Sequence, residues 1–177
     1  VRGERFTHEL DNISGMCIPV LQQPDGRAWV LFDERLLKTS LVHSIELQQL
    51  QELGAIKSAP TLPALETLIN VPSGSLTQVL AEVAASKSAA QPDAFGRSFV
   101  DLAPLTAPFC AIRVTGALFH TQGGLSVDSE ARVLRADGSP LPNVFAGGGA
   151  ARSISGPDVT GYLPAMGLCM AITLGRI

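Results

Sequence analysis

Residues 120–177 read HTQGGLSVDSEARVLRADGSPLPNVFAGGGAARSISGPDVTGYLPAMGLCMAITLGRI, and this stretch is the most informative part of the sequence. It opens on a His-Thr-x-Gly-Gly turn and ends in a long apolar segment. Short apolar segments separated by turn residues such as Asp137-Gly138 predict strands between these two ends. The predicted strands cover 125–128, 132–134 and 144–146, the last of them buried. The glycine run Gly147–Gly149 follows, and a closing helix is expected over about Tyr162–Ile177.

The residues before this stretch form a mostly helical pattern. A short β-rich apolar run, Ala28–Asp33, predicts a buried strand whose last residue caps a helix. Three further helices have capping signals: Gly54 ends the first, Thr61 opens the second, and a Ser75-x-x-Gln78 capping box opens the third. They are predicted over Ile45–Leu53, Leu62–Ile69 and Ser75–Ala90. Strands return at 110–114 and 117–120, so the predicted class is α+β.

The composition is that of an ordinary folded protein. The 177 residues are 46% hydrophobic and 16% charged, enough for one good core and at most a second small one. A formal charge of −3 and the lack of a Lys/Arg cluster argue against nucleic acid as a partner. No apolar run reaches the ~18 residues of a membrane span. Three widely spaced cysteines, Cys17, Cys110 and Cys169, favour reduced thiols in the cytoplasm over disulfides or a metal site.

The order of elements in residues 120–177 resembles the C-terminal segment of flavoproteins of the fumarate reductase/succinate dehydrogenase family. The first residues, Gly3-Glu4-Arg5-Phe6-Thr7-His8-Glu9, are similar to that family's Gly-(Lys/Glu)-Arg-Phe-x-x-Glu motif. The resemblance implies that residues 1–110 form a capping domain over the substrate. Residues 111–177 would then supply the C-terminal strands and helix of a Rossmann-like FAD-binding domain.

The resemblance also implies FAD as the cofactor and a small molecule as the substrate. A complete FAD site needs a Gly-x-Gly-x-x-Gly turn, whose amides and helix N-terminus hold the pyrophosphate. This sequence has no such turn. We therefore interpret the chain as a fragment of a longer flavoprotein, whose N-terminal FAD-binding segment is its missing partner. By itself the chain is expected to carry no FAD.

His120 is the residue singled out for chemistry. In the resembled family, the histidine of this turn hydrogen-bonds a carboxylate or carbonyl of the substrate while the flavin exchanges a hydride. An imidazole suits that task because it donates a hydrogen bond in either charge state near neutral pH. Thr121 and Gly123 are implied as substrate-binding neighbours. The alternative is a histidine that only bonds a loop carbonyl.

The remaining glycines and the last helix are implied as the cofactor-binding residues. Gly124 belongs to a turn that needs positive φ or close backbone approach, although a simple tight turn is the alternative. Gly148 and Gly149 correspond to the family's Ala-Ala-Gly-Glu loop, and Gly149 replaces the glutamate that contacts the ribityl chain. The amides of Gly167 and Leu168 would face the isoalloxazine, while the apolar residues of that helix pack as ordinary core.

Two departures from the family bear on the substrate. The family's proton-donating arginine corresponds to Ile13, and its substrate-clamping arginine falls on Val159 or Tyr162. Without these guanidinium groups a dianion is poorly compensated, so we expect fumarate to be disfavoured relative to a less charged substrate, as in the related ketosteroid dehydrogenases. Tyr162 would then donate a hydrogen bond or proton, or it is simply a packed aromatic. Arg152 is the nearest cation in sequence.

A different class of function stays open at this point. The same pattern of helices and strands suits a non-catalytic α+β module that mediates protein contacts. An upstream strand followed by Gly-x-Gly-x-x-Gly is required by the enzyme and not by the module.

Overall fold

The computed structural model describes residues 2–12, 14–118, 122–155 and 162–177, and the chain divides into two compact units. The first unit comprises residues 1–116 and the second residues 117–177. Each contains helices and antiparallel strands, so the predicted mixture of α and β elements is confirmed.

The helices are short and the strands belong to two small sheets. The elements of the first unit are α1 (Cys17–Leu21), β1 (Arg27–Asp33), α2 (Glu34–Leu41), α3 (Ile45–Glu52), β2 (Ile56–Ala59), α4 (Leu62–Ile69), α5 (Ser75–Ser88) and β3 (Phe109–Thr115). Those of the second unit are β4 (Arg132–Leu134), β5 (Pro140–Phe145) and α6 (Met166–Leu174). Single turns of 3₁₀ helix lie at Pro24–Gly26 and Gly148–Ala150.

Local capping chemistry explains most boundaries in the first unit. The fully buried carboxylate of Asp33 accepts a hydrogen bond from the Leu36 N–H at 2.9 Å, as predicted for the start of α2. Burial by itself raises the pKa of Asp33. The hydrogen bonds from the Leu36 and Thr106 N–H groups and the charge of Arg35 outweigh this effect, so the pKa of Asp33 lies below its usual value. Thr61 caps α4 as predicted. α1 and β2 were not predicted, because they are too short to show clear periodicity.

β3 is the central strand of the first unit's sheet. The strand order is β1-β3-β2, with both neighbours antiparallel to β3. The core beneath the sheet contains Ala59, Leu65, Ile69, Leu76 and Ala111. The predicted boundary between residues 110 and 111 therefore falls inside a strand that the first unit needs. The division lies after Gly116 instead.

The predicted capping box at Ser75 is wrong. Gly74, in a left-handed conformation, is the N-cap of α5, and the buried Ser75 Oγ has no hydrogen-bond partner among the described residues. The buried carboxylate of Glu66 caps the helix instead, since it accepts bonds from the N–H groups of Gly74 and Leu76, both at 2.8 Å. Glu66 lies on α4, so this cap also ties α4 to α5.

Glu66→Ala is expected to lower the free energy of unfolding by roughly 2–4 kcal/mol, because the buried N–H of Leu76 and the part-buried N–H of Gly74 lose their carboxylate acceptor. Glu66→Gln keeps one acceptor oxygen, but its amide N–H group would face the second N–H, so it should recover only part of the loss. Urea unfolding followed by circular dichroism measures both values. A Glu66→Ala variant as stable as the wild type would show that the bonds do not support the fold.

The second unit is a small hairpin layer packed on α6. β4 pairs with β5, and Val127 bridges to Val133 on the other side of β4. Gly138 has a φ of 82° in the predicted Asp137-Gly138 turn. The core is formed by Val133, Ala146, Ala151 and Met170.

Three expectations for the second unit need correction. The segment 144–146 was predicted as a buried strand, but Val144 and Phe145 are exposed because β5 pairs with β4 alone among the described residues. The closing helix begins at Met166, not near residue 162, since Pro164 disfavours helix at its predecessor and Ala165 has a φ of 67°. Residues 117 and 118 form no strand, and the rest of that predicted strand lies outside the described residues.

Candidate functional site

Backbone hydrogen bonds bring the two glycine segments of the second unit together. The Leu125 N–H donates to the Ala150 carbonyl and the Arg152 N–H donates to the Leu125 carbonyl, both at 2.9 Å. The Ser153 N–H donates to the Gln122 carbonyl at 3.0 Å. Gly123-Gly124 therefore lies beside the segment that follows Gly147–Gly149. No side-chain signal reveals this pairing, because it uses main-chain groups that every residue carries.

Gly124 is required by this pairing itself. A Cβ at position 124 would lie 2.6 Å from the Ala151 carbonyl carbon and 2.7 Å from the Arg152 nitrogen. Real side chains do not tolerate such distances to backbone atoms. Close approach of two segments of this chain thus explains the glycine. Gly123 has an unremarkable φ and no atom within 4 Å of a built Cβ, so the described fold does not require glycine there.

Gly124→Ala is expected to destabilise the second unit by about 1–3 kcal/mol, because the added methyl forces two paired backbone segments apart. Gly123→Ala is the matched control and should change stability by less than about 0.5 kcal/mol. Thermal unfolding of the two variants measures the contrast. Equal stability of both would contradict the close approach at Gly124.

The loop Gly147–Gly149 packs on α6. Gly148 has a φ of 55°, and its built Cβ would lie 3.2 Å from the Ala171 Cβ. At Gly147 the corresponding atom would lie 3.3 Å from the Leu174 Cβ. Gly149 differs from both, since its φ is not in the left-handed region and no atom lies within 4 Å of a built Cβ. The described residues therefore leave open space where the resembled family carries a glutamate side chain.

The N-terminus of α6 presents backbone donors. Gly167 and Leu168 are the second and third residues of the helix, and the first bond of the regular helical pattern is Cys169 N–H to the Ala165 carbonyl at 3.0 Å. The described hydrogen bonds include none donated by Gly167 or Leu168, as is normal for a first helical turn. A Cβ at Gly167 would meet nothing within 4 Å. This end of the helix carries partial positive charge and suits an electron-rich group.

Several predicted site residues cannot be placed beside these glycines. His120, Thr121, Ile13 and Val159 lie outside the described residues. Tyr162 is partly buried and precedes α6 by four positions. Arg152 is exposed in the segment that pairs with Leu125.

The shifted carboxylates of the second unit belong to its turns. Burial raises the pKa of Asp128, but the N–H and the guanidinium of Arg132 outweigh it, so the pKa lies below its usual value. The pKa of Asp137 is lowered by hydrogen bonds from Ser139. Both carboxylates stabilise the hairpin and neither is adapted to proton transfer near neutral pH.

Two other features, a metal site and a membrane-spanning helix, are absent from the described residues. Within the described ranges, no three His, Cys, Asp or Glu side chains cluster closely enough to bind a metal ion. In the same part of the chain, every helix is too short or too polar to span a membrane.

Comparison with known proteins gives a family and several relatives. The FAD binding domain family matches residues 2–161. The probable fumarate reductase Ifc3 of Shewanella frigidimarina is 25% identical over 154 residues, which are 87% of this chain and 26% of the relative. The 4-oxocyclohex-2-ene-1-carboxylate 5-dehydrogenase of Sinomonas cyclohexanicum is 32% identical over an alignment of 127 positions, which covers 63% of this chain and 22% of that enzyme.

A solved structure shows the same fold. The open conformation of a flavocytochrome c3 fumarate reductase superposes with a TM-score of 0.71 at 23% identity, over 99% of this chain and 30% of that protein. The chain thus spans about a quarter to a third of the length of these relatives.

Proposed function

Because the chain belongs to the FAD binding domain family, we propose that the protein is an FAD-dependent oxidoreductase acting on a carbon–carbon bond adjacent to a carbonyl or carboxylate. The family implies FAD as the cofactor. When bound, FAD would exchange a hydride with that bond. Two of the relatives are named as a probable fumarate reductase and a dehydrogenase, which favours an oxidoreductase over the non-catalytic module.

The observation that carries the proposal is the glycine cluster of the second unit. Gly123, Gly149 and Gly167 have open space at Cβ and backbone conformations that accept other residues. A ligand that approaches the backbone closely gives a physical reason for glycine at such positions. We therefore assign Gly123 to the substrate side and Gly149 and Gly167 to the flavin. Gly148 and Leu168, their neighbours in the chain, are assigned to the flavin by the family resemblance. Gly124 is also assigned to the flavin-binding residues, because its close backbone contact with Ala151 shapes the turn.

The residues of the chain would act on the flavin by hydrogen bonding and charge. The N–H groups of Gly167 and Leu168 would bind the pyrimidine edge of the ring, where the helix dipole stabilises negative charge. His120 would hydrogen-bond the carbonyl or carboxylate of the substrate, with Thr121 beside it. Tyr162 would donate a hydrogen bond or proton to the substrate.

The two units would have different roles. We propose that the first unit caps the substrate and that the second supplies the C-terminal part of the FAD-binding domain. The pyrophosphate would be held by an N-terminal strand and Gly-x-Gly-x-x-Gly turn in the same flavoprotein, because this chain has no such turn.

The substrate is proposed to be an enone or another weakly charged unsaturated carbonyl compound. Isoleucine replaces the family's proton-donating arginine at position 13, and neither Val159 nor Tyr162 is a guanidinium. A dianion such as fumarate would lose the bidentate partner that matches a carboxylate.

Steady-state assays of the full-length flavoprotein test both the proposed oxidoreductase activity and the proposed substrate class. With a reduced dye, a cyclic enone such as a 3-ketosteroid or 4-oxocyclohex-2-ene-1-carboxylate should be turned over at least about tenfold faster than fumarate, equivalent to a difference of about 1.4 kcal/mol in transition-state stabilisation. Fumarate turnover near 10 per second, typical of enzymes, would refute the substrate class. A flavin-loaded protein inactive on every unsaturated carbonyl compound would refute the oxidoreductase itself.

A further inference from the structure

Four charged side chains join the start of the chain to a distant loop of the first unit. The guanidinium of Arg5 binds both oxygens of Glu9, with Nε to Oε1 at 2.6 Å and Nη2 to Oε2 at 2.7 Å. The remaining nitrogen of Arg5, Nη1, donates to Asp93. Arg97 donates to the second oxygen of Glu9 at 2.8 Å. We call Arg5, Glu9, Asp93 and Arg97 the clasp.

The loop side of the clasp is held by its own hydrogen bonds and by contacts with Phe99. The Asp93 Oδ1 accepts hydrogen bonds from the N–H groups of Phe95 and Arg97, both at 2.9 Å, and the Asp93 N–H donates to the Arg97 carbonyl. The Arg97 guanidinium lies 4.7 Å from the centre of the Phe99 ring, and that of Arg5 lies 5.0 Å from the same ring. Cation–π contacts of this kind add to the ion pairs.

Three of the four clasp side chains are shielded from solvent, while Glu9 is 35% exposed. The side chain of Asp93 is 8% exposed, and those of Arg5 and Arg97 are 17% and 18% exposed. Burial raises the pKa of Glu9, but hydrogen bonds from Arg5 and Arg97 outweigh this effect and leave it lowered. Charge-assisted bonds in such surroundings are stronger than those on an open surface.

Residues next to the clasp line a cavity of the first unit. Residues 2–9, which we call the strap, contribute Arg2–Phe6 to one wall of a cavity of about 510 Å³ in the first unit. The floor of the cavity is apolar and includes Trp29, Leu31, Leu76 and Ala111. Trp29 is the only tryptophan of the chain.

The strap has little else to hold it. Among the described residues, no backbone hydrogen bond joins residues 2–7 to the rest of the unit, and the side-chain bonds of these residues all belong to Arg5. A segment without a backbone ladder opens at a lower free energy than the sheet beneath it. The clasp therefore supplies the hydrogen bonds that anchor the strap, and Gly3 adds a packing contact with Ser75.

We propose that the strap is a gate that the clasp holds closed. The strap opens as a local unit and exposes the floor of the cavity, while the sheet of the first unit stays folded. The Arg-Phe-x-x-Glu pattern at the start of the chain then has a physical role. Arg5 and Glu9, four residues apart, are the strap's half of the clasp.

Quenching of Trp29 fluorescence by acrylamide tests the gate directly in this chain. Glu9→Gln removes the charge that two arginines share, and Glu34→Gln is the matched control because it removes the exposed Glu34–Lys38 pair of the same unit. Weakening charge-assisted bonds should raise the open population about tenfold. We expect the quenching constant to rise about twofold in Glu9→Gln, with unchanged far-ultraviolet circular dichroism and no change in Glu34→Gln.

A second variant loosens the other end of the strap. Gly3 has a φ of 72°, and a Cβ there would collide with the Ser75 side chain, so Gly3→Ala should raise quenching without touching any charge. Increased quenching in both folded variants supports the gate. Unchanged quenching in both, or an equal rise in Glu34→Gln, would overturn it. If either strap variant unfolds, the same quenching is measured on the wild type in urea concentrations below the unfolding transition. Quenching that rises only when the circular dichroism signal is lost would also overturn the gate.

Discussion

His120→Ala in the full-length flavoprotein is expected to lower turnover by roughly one to four orders of magnitude while leaving FAD content unchanged. The resemblance assigns His120 to the substrate side of the flavin, where a hydrogen bond to the carbonyl strengthens as charge develops in the transition state. The cofactor's phosphates lie elsewhere in the resembled fold. Steady-state kinetics and the flavin-to-protein absorbance ratio measure the two quantities.

His43→Ala is the control for this experiment, since His43 is exposed between α2 and α3 and has no proposed role. Its activity and flavin content should equal those of the wild type. Loss of flavin from His120→Ala with normal activity per bound flavin would move His120 from the substrate to the cofactor. Normal activity with full flavin content would remove His120 from the site.

The 177-residue chain alone is expected to bind no measurable FAD. The glycine loop and the N-terminus of α6 offer contacts to the ring system, but the chain has no Gly-x-Gly-x-x-Gly turn for the pyrophosphate. Losing about three charge-assisted hydrogen bonds of roughly 1.5–3 kcal/mol each weakens binding at least a thousandfold. The physical reason is that the anion site is supplied by a different segment from the ring site.

Flavin absorbance of the purified chain, before and after incubation with excess FAD and gel filtration, measures this expectation. Riboflavin, which has no phosphates, serves as the comparison ligand. Both should elute free of protein. A yellow protein peak with FAD near one per chain would show that the chain contains a sufficient cofactor site.

The local sequence predicted those elements whose signals are local. The Asp33 and Thr61 caps mark the starts of α2 and α4, and Gly54, with a φ of 68°, follows α3 as a terminating glycine does. These features depend on side chains within a few residues of the backbone groups that they satisfy. The α+β class followed from such signals, whereas the family resemblance rested on the order of motifs in residues 120–177. The family match over residues 2–161 confirms the resemblance.

Features made by distant residues could not be predicted. Ser75 looked like a cap, but Glu66 reaches α5 from another helix and takes that place. β3 looked like the start of the second domain, but it is the centre of the first unit's sheet because β1 and β2 pair with its two edges.

The same distinction separates the glycines of the candidate site. Their order along the chain determined the family and the predicted cofactor. Only the tertiary structure shows that Gly124 is needed for contact with Ala151, whereas Gly123 and Gly149 face open space. The physical reason is that a sequence specifies which groups are available, while close approach between residues far apart in the chain exists only after the segments have packed.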